Sequence, residues 1–177
     1  MNTINILFAT FVSTCNVLIY KYLIARKATL HLDSREKQPM SHITQLFKRW
    51  RIYSRGLFVI YVFVHNLYLY PKGPTVLQIG IAGSMCLIGM TFLYFSLKAL
   101  GTEYSDCYDA YIPKQMIQEG PYRYCSHPIY LANSLTFLGL LITHLSVFTS
   151  LLYAGTILFY ISAIRDEKEV LKKFQNS

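Results

Sequence analysis

Two stretches of this chain, residues 4–25 and 74–97, stay apolar for the roughly 20 residues that a helix needs to cross a bilayer. A third apolar run, 56–70, is short for a crossing but gains length from Ile52 and Tyr53 if Arg55 extends its charged end to the surface. Residues 128–164 are too long for one crossing and predict two helices that part near Thr143-His144-Leu145-Ser146. With 53% hydrophobic residues in 177, this is not a soluble pattern. It predicts an all-α, polytopic membrane protein of about five transmembrane helices arranged in hairpins. The first run has no basic residue before it and ends in Lys21, Arg26 and Lys27, so it reads as a retained anchor rather than a cleaved signal peptide.

The formal charge of +8 raises nucleic acid as a partner, but its distribution argues against one. With five spans and an outside N-terminus, segments 21–55, 98–127 and 165–177 share one side and hold 16 of the 17 Lys and Arg residues, Lys72 being the exception. This is the bias of cytoplasmic loops, so these segments are expected in the cytoplasm, facing anionic headgroups. Of the four cysteines, Cys15 and Cys86 fall within spans, and Cys107 and Cys125 fall in a loop without Cys-x-x-Cys spacing. No disulfide and no metal site is expected from them.

Asn16 is the one strongly polar residue inside the first span, suited to bonding a neighbouring helix. Residues 26–40 read as a loop. From Ser41, a plausible N-cap, Ile43, Leu46, Phe47 and Trp50 recur on one helical face while Lys48, Arg49 and Arg51 take others. The pattern fits an amphipathic helix in the cytoplasmic interface with Trp50 at headgroup depth, or a short helix packed on the loops. His65-Asn66 lies toward the outer end of the second span, with Tyr68 and Tyr70 in an outer aromatic belt. Pro71-Lys72-Gly73-Pro74 is a tight turn that makes spans two and three a hairpin. Gly80 and Ser84, four apart in the third span, invite close approach of another helix, and Gly101 is a natural stop. The loop 101–126 carries Glu103, Asp106, Asp109 and Glu119, and its tyrosines 104, 108, 111, 122 and 124 argue against disorder.

Where that loop meets the next apolar run stands Gly120-Pro121-Tyr122-Arg123-Tyr124-Cys125-Ser126-His127-Pro128-Ile129-Tyr130. Two prolines fix φ and remove donors, so the segment predicts a rigid, non-helical lead into a helix that starts near His127-Pro128. The first turn of that helix would present free N–H groups, a suitable place for a carboxylate or phosphate. The plain alternative is a structural loop-to-helix turn with interfacial tyrosines.

This stretch resembles the Gly-Pro-Tyr-Arg-…-Arg-His-Pro-x-Tyr motif of the isoprenylcysteine carboxyl methyltransferase and phospholipid methyltransferase superfamily, with Ser126 where the family has arginine. The resemblance extends over roughly residues 80–174. Leu100-Gly101-Thr102-Glu103-Tyr104-Ser105 is similar to a Leu-Gly-x-x-Trp-Ser element, and Lys114-Gln115-Met116-Ile117 to a His-x-Leu-Val element. Near the end, Glu167, Leu171 and Phe174 match a pattern of two adjacent glutamates, leucine and phenylalanine, with Lys168 replacing the second glutamate. Many members continue with a Gly-x-x-Tyr-x-x-Tyr segment, so a shortened site wall is expected here.

The resemblance implies one integral membrane domain, 1–177, in which 1–73 supplies N-terminal spans and 74–177 a methyltransferase-like core with its site at the cytoplasmic face. It implies a multi-pass enzyme that moves a methyl group from S-adenosylmethionine to a lipid or lipidated substrate: an isoprenylcysteine carboxylate, a phospholipid amine or a small lipophilic acceptor. The site residues it implies are His127, Arg165 and Glu167 as catalytic and Lys114, Gly120, Tyr122, Arg123, His127, Pro128, Tyr130 and Glu167 around the cofactor. Tyr122, Tyr124 and Tyr130 offer aromatic faces to a sulfonium. Arg123 offers a fork for the cofactor's carboxylate. His127 can bond the cofactor or take a proton, and Glu167 can bind its amine or orient substrate. Two other readings stand beside this one: a catalytically inactive lipid- or partner-binding relative, and a related NADPH-dependent membrane reductase.

Overall fold

A computed structural model of the chain describes residues 2–25, 37–38, 41–65, 74–101, 110–111 and 116–175. Five helices account for nearly all of them: α1 (Asn2–Ala25), α2 (His42–Val64), α3 (Val76–Leu100), α4 (Pro128–Thr143) and α5 (Val147–Gln175). The one β pairing among the described residues joins β1 (Lys37–Gln38) to β2 (Ala110–Tyr111), antiparallel, with Lys37 opposite Tyr111. The all-α expectation holds.

The helix boundaries have local causes. The Ser41 hydroxyl accepts from the Thr44 N–H and opens α2. Thr75 and Gln78 form a reciprocal capping box at the start of α3, and Gly101, at φ +54°, ends that helix in a conformation that side chains disfavour. α4 begins with Pro128 in its first position, where the missing N–H costs nothing. The expected break at 143–146 is present: the Ser146 hydroxyl accepts from the Thr149 N–H and starts α5.

α3 and α4 run antiparallel and touch through glycines. A Cβ on Gly89 would sit 2.8 Å from the Ala132 carbonyl oxygen, and one on Gly139 would sit 2.8 Å from that of Ala82. The close approach predicted at Gly80 and Ser84 is therefore displaced along the helix: Gly80 faces open space, and the Ser84 hydroxyl turns back to the Gly80 carbonyl. α1 runs parallel to α3, with Phe8 beside Gly83 and Ile19 against Leu93 and Leu97.

α2 corrects one expectation. It is continuous from His42 to Val64, so the amphipathic segment from Ser41 and the described part of the second apolar run are one helix rather than two. Its main neighbour is α5. Thr44 meets Ser162 at 2.6 Å, Phe58 stands edge-on to His144 and Tyr61 lies against Phe148, an antiparallel course. Its buried face is accordingly Thr44, Ser54, Phe58 and Val62, while Ile43 and Leu46 are exposed. Trp50 packs its indole on Gly155, about halfway along the apolar part of α5, where that glycine leaves the gap the ring fills. The Pro71–Gly73 turn and Tyr68 and Tyr70 lie outside the described residues.

These pairings gather the C-terminal ends of α1, α3 and α5, the N-terminal ends of α2 and α4, and the β1–β2 bridge at one end of the bundle. α3 and the Val147–Glu169 part of α5 are long and apolar enough to cross a membrane, and Ile6–Ile19 and α4 are apolar but shorter.

Candidate functional site

The end where these termini meet is built from the Gly120–Tyr130 stretch and the last turns of α5. Gly120, at φ +57°, starts a short 3-10 turn, Gly120–Arg123, in a backbone region that suits glycine. The turn closes through Tyr122 N–H to Glu119 O and Tyr124 N–H to Pro121 O, and it rests on α3 beside Ala99. It leaves Arg123 exposed, with no ion-pair partner among the described residues, and Tyr124 is exposed as well.

Ser126 leads into His127, which caps α4 with φ −131° and ψ 59°, and Tyr130 follows one turn later. His127 Nδ1 lies 2.8 Å from Glu167 Oε2, and the Tyr130 hydroxyl donates to Glu167 Oε1 at 2.6 Å. Both carboxylate oxygens are thus engaged. Since a carboxylate only accepts, Nδ1 carries the proton and Nε2 is the ring's free face for chemistry. The His127 and Tyr130 rings stack at 5.8 Å and 14°, and Tyr130 stacks on Tyr160 at 5.0 Å and 20°. The column buries Tyr130 and Tyr160 and leaves His127 about 15% and Glu167 about 32% exposed. It therefore has an open end at the histidine.

α2 is anchored beside this cluster. Asp166 accepts from the Ser41 N–H at 3.1 Å and from the Ser41 hydroxyl at 3.0 Å. An acid at the first turn of a helix also suits the positive end of its dipole.

Of the residues expected at the site, His127, Tyr130 and Glu167 meet directly, with Pro128 in the same first turn of α4. Gly120, Tyr122 and Arg123 occupy the adjoining 3-10 turn. Lys114 lies outside the described residues, as do Glu103 and Tyr104. Arg165 does not join the cluster. Two residues from Glu167, it is turned about 160° round the helix and lines a separate groove with Lys168. Sequence reading missed Tyr160, although its seven-residue spacing from Glu167 puts both on one face of α5. It also missed the Ser41–Asp166 clasp, for which no local pattern exists because the partners stand 125 residues apart.

A family model described as phospholipid methyltransferase matches residues 77–176. The chain belongs to the phospholipid methyltransferase family. This family is part of the superfamily of membrane methyltransferases whose motif the Gly120–Tyr130 stretch resembles. No curated protein and no solved structure matches the chain. The matched region of this phospholipid methyltransferase family member runs from α3 through α5 and contains the whole His127–Tyr130–Glu167 cluster. α1 and α2 precede it, so the Ser41–Asp166 clasp joins a helix outside the match to one inside it.

Proposed function

We propose that this protein is an integral membrane methyltransferase that moves a methyl group from S-adenosylmethionine to a lipid-type acceptor at the cytoplasmic face. The observation that carries the proposal is the convergence of His127, Tyr130 and Glu167 at one end of the bundle, inside the family-matched region. Five membrane spans are part of the reading. Support comes from the alternating courses of the helices and from the β1–β2 bridge, which joins two segments expected on the same side.

The residues present fit the cofactor's chemistry. Arg123 is an exposed cation without an ion-pair partner among the described residues, suited to a carboxylate. The open end of the His127–Tyr130 column offers an aromatic face to a cation. Glu167 can bind an ammonium through the exposed part of its carboxylate. When bound, S-adenosylmethionine supplies an electrophilic methyl group on a sulfonium sulfur.

The chain's part is alignment and proton handling. Glu167 holds His127 with Nδ1–H toward the carboxylate, which directs Nε2 outward as a base. For an amine acceptor, Nε2 takes the ammonium proton and leaves a nitrogen lone pair for attack. A carboxylate acceptor needs no base. The hydroxyl of Tyr130 fixes the other oxygen of Glu167 and so locks the orientation of the acid.

Calorimetry of the purified full chain with S-adenosylhomocysteine and, separately, NADPH tests this reading. Binding of the former alone is expected. Binding of NADPH alone would favour the reductase, and binding of neither a non-catalytic relative.

A further inference from the structure

The C-terminal half of α5 packs against α4, α2 and β2 and leaves a further face open. Tyr160 and Glu167 meet α4, and Ser162 and Asp166 meet α2. That open face carries Ile161, Ile164, Arg165, Lys168, Glu169 and Lys172, which line a shallow, open groove of about 350 Å³ along this one helix. Arg165, Lys168 and Lys172 rise along one side of the helix over about 10 Å, with the two isoleucines just before them. None of the three cations has an ion-pair partner among the described residues. Glu169 is the single acid among these residues, leaving two positive charges in excess.

The order along the groove is apolar toward the body of the bundle and cationic toward its end, the order of chain and headgroup in a lipid. We propose that this groove binds an acidic phospholipid as a resident lipid rather than as the methyl acceptor, with its phosphate on Lys168 and Lys172 and its upper chain along Ile161 and Ile164. The net positive lining selects a headgroup with net negative charge over a zwitterionic one. The binding anchors the end of α5, and with it Glu167, at the membrane surface. The inference rests on the membrane reading above.

The test uses the full chain, purified in neutral detergent and titrated with phosphatidylglycerol or phosphatidylcholine of the same acyl chains, with bound lipid counted by native mass spectrometry. Preferential phosphatidylglycerol binding is expected. The double variant Lys168→Gln/Lys172→Gln should weaken it about thirtyfold without changing phosphatidylcholine binding. Lys168→Arg/Lys172→Arg should retain it, and both variants should keep parental thermal stability and S-adenosylhomocysteine affinity. Equal binding of the two lipids, or parental phosphatidylglycerol binding by the glutamine variant, overturns the proposal. So does displacement by inorganic phosphate at the lipid's own concentration, which would make the groove a free-phosphate site. Retention of the protein in carbonate-washed membranes separates the two ideas: a protein that washes off takes the membrane reading and the groove down together, whereas a retained protein without the lipid preference removes the groove alone.

Discussion

Glu167 commits one oxygen to the His127 ring and the other to the Tyr130 hydroxyl. Replacing it with glutamine keeps the volume but removes the charge and one of the two acceptors. Charge-assisted bonds of this kind are worth about 1.5–3 kcal/mol. Glu167→Gln should weaken S-adenosylhomocysteine binding at least tenfold in calorimetry and lower methyl transfer about 10²–10⁴-fold if His127 acts as base. Parental binding and turnover would remove Glu167 from the site. Arg123 and Ser126 form a second test. Under the proposed carboxylate role, Arg123→Ala abolishes S-adenosylhomocysteine binding, while Ser126→Arg, which adds a second cation where the family has one, binds equally or more tightly. An Arg123→Ala protein that binds as the parent does would refute the assignment of Arg123.

At the scale of elements, α3 and α4 depend on the absence of side chains where they cross. A Cβ at Gly89 would meet the backbone of α4, which cannot retreat as a side-chain tip can. Gly89→Val should lower stability by about 1–3 kcal/mol, read as a fall in Tm, while Gly80→Ala, into open space, should be neutral or better. The turn between α4 and α5 carries a pH dependence. His144 is 4% exposed, and burial, with the neighbouring His65 charge, lowers its pKa to about 4 from 6.5. Because the folded protein resists its protonation, the His144 contribution is complete above pH 6.5 and is lost as pH falls toward 4, by at most about 3 kcal/mol. Tm should drop across that window, and His144→Gln should flatten the drop. An unchanged slope would show that other groups set it. The helix edges were legible from sequence because Ser41, Gly101, Pro128 and Ser146 act locally. The course of α2 was not. Its apolar stripe from Ile43 to Trp50 suggested an interface helix, but its neighbour offers Ser162 and Asp166, so Thr44 turns inward and Ser41, at the surface, bonds Asp166 instead. Hydroxyl pairing across 118 residues leaves no periodic trace in either segment.

For the whole molecule, the one-sided charge and the helix courses make a joint statement about topology. In a background without the native cysteines, single cysteines at positions 35 and 110 should be labelled from the cytoplasmic side and one at 72 from the other. Labelling of 35 and 72 from the same side would refute the five-span arrangement. The motif and the end of α5 were readable because each is a short string, and their meeting was foreshadowed by the family pattern. The faces of α5 were not foreshadowed, which is why Arg165 was grouped with Glu167 although helical geometry sets them apart.

The clasp between Ser41 and Asp166 also bears on how the protein is made. Its two halves leave the ribosome 125 residues apart, a delay of about 6–25 s at 5–20 residues per second. For most of that interval, until α5 begins at Val147, α2 exists without its main neighbour, with Thr44 and Ser54 uncovered by it and Lys48, Arg49, Arg51 and Arg55 along the same helix. A helix so polar is a poor candidate to remain alone in lipid. Its settling alongside α5 is therefore expected late in biogenesis, and the first turn of α2, capped locally by Ser41, gains its tie to Asp166 only when the residue before Glu167 has been synthesised. Completion of the His127–Glu167 pair and the docking of α2 on α5 fall in the same stretch of synthesis.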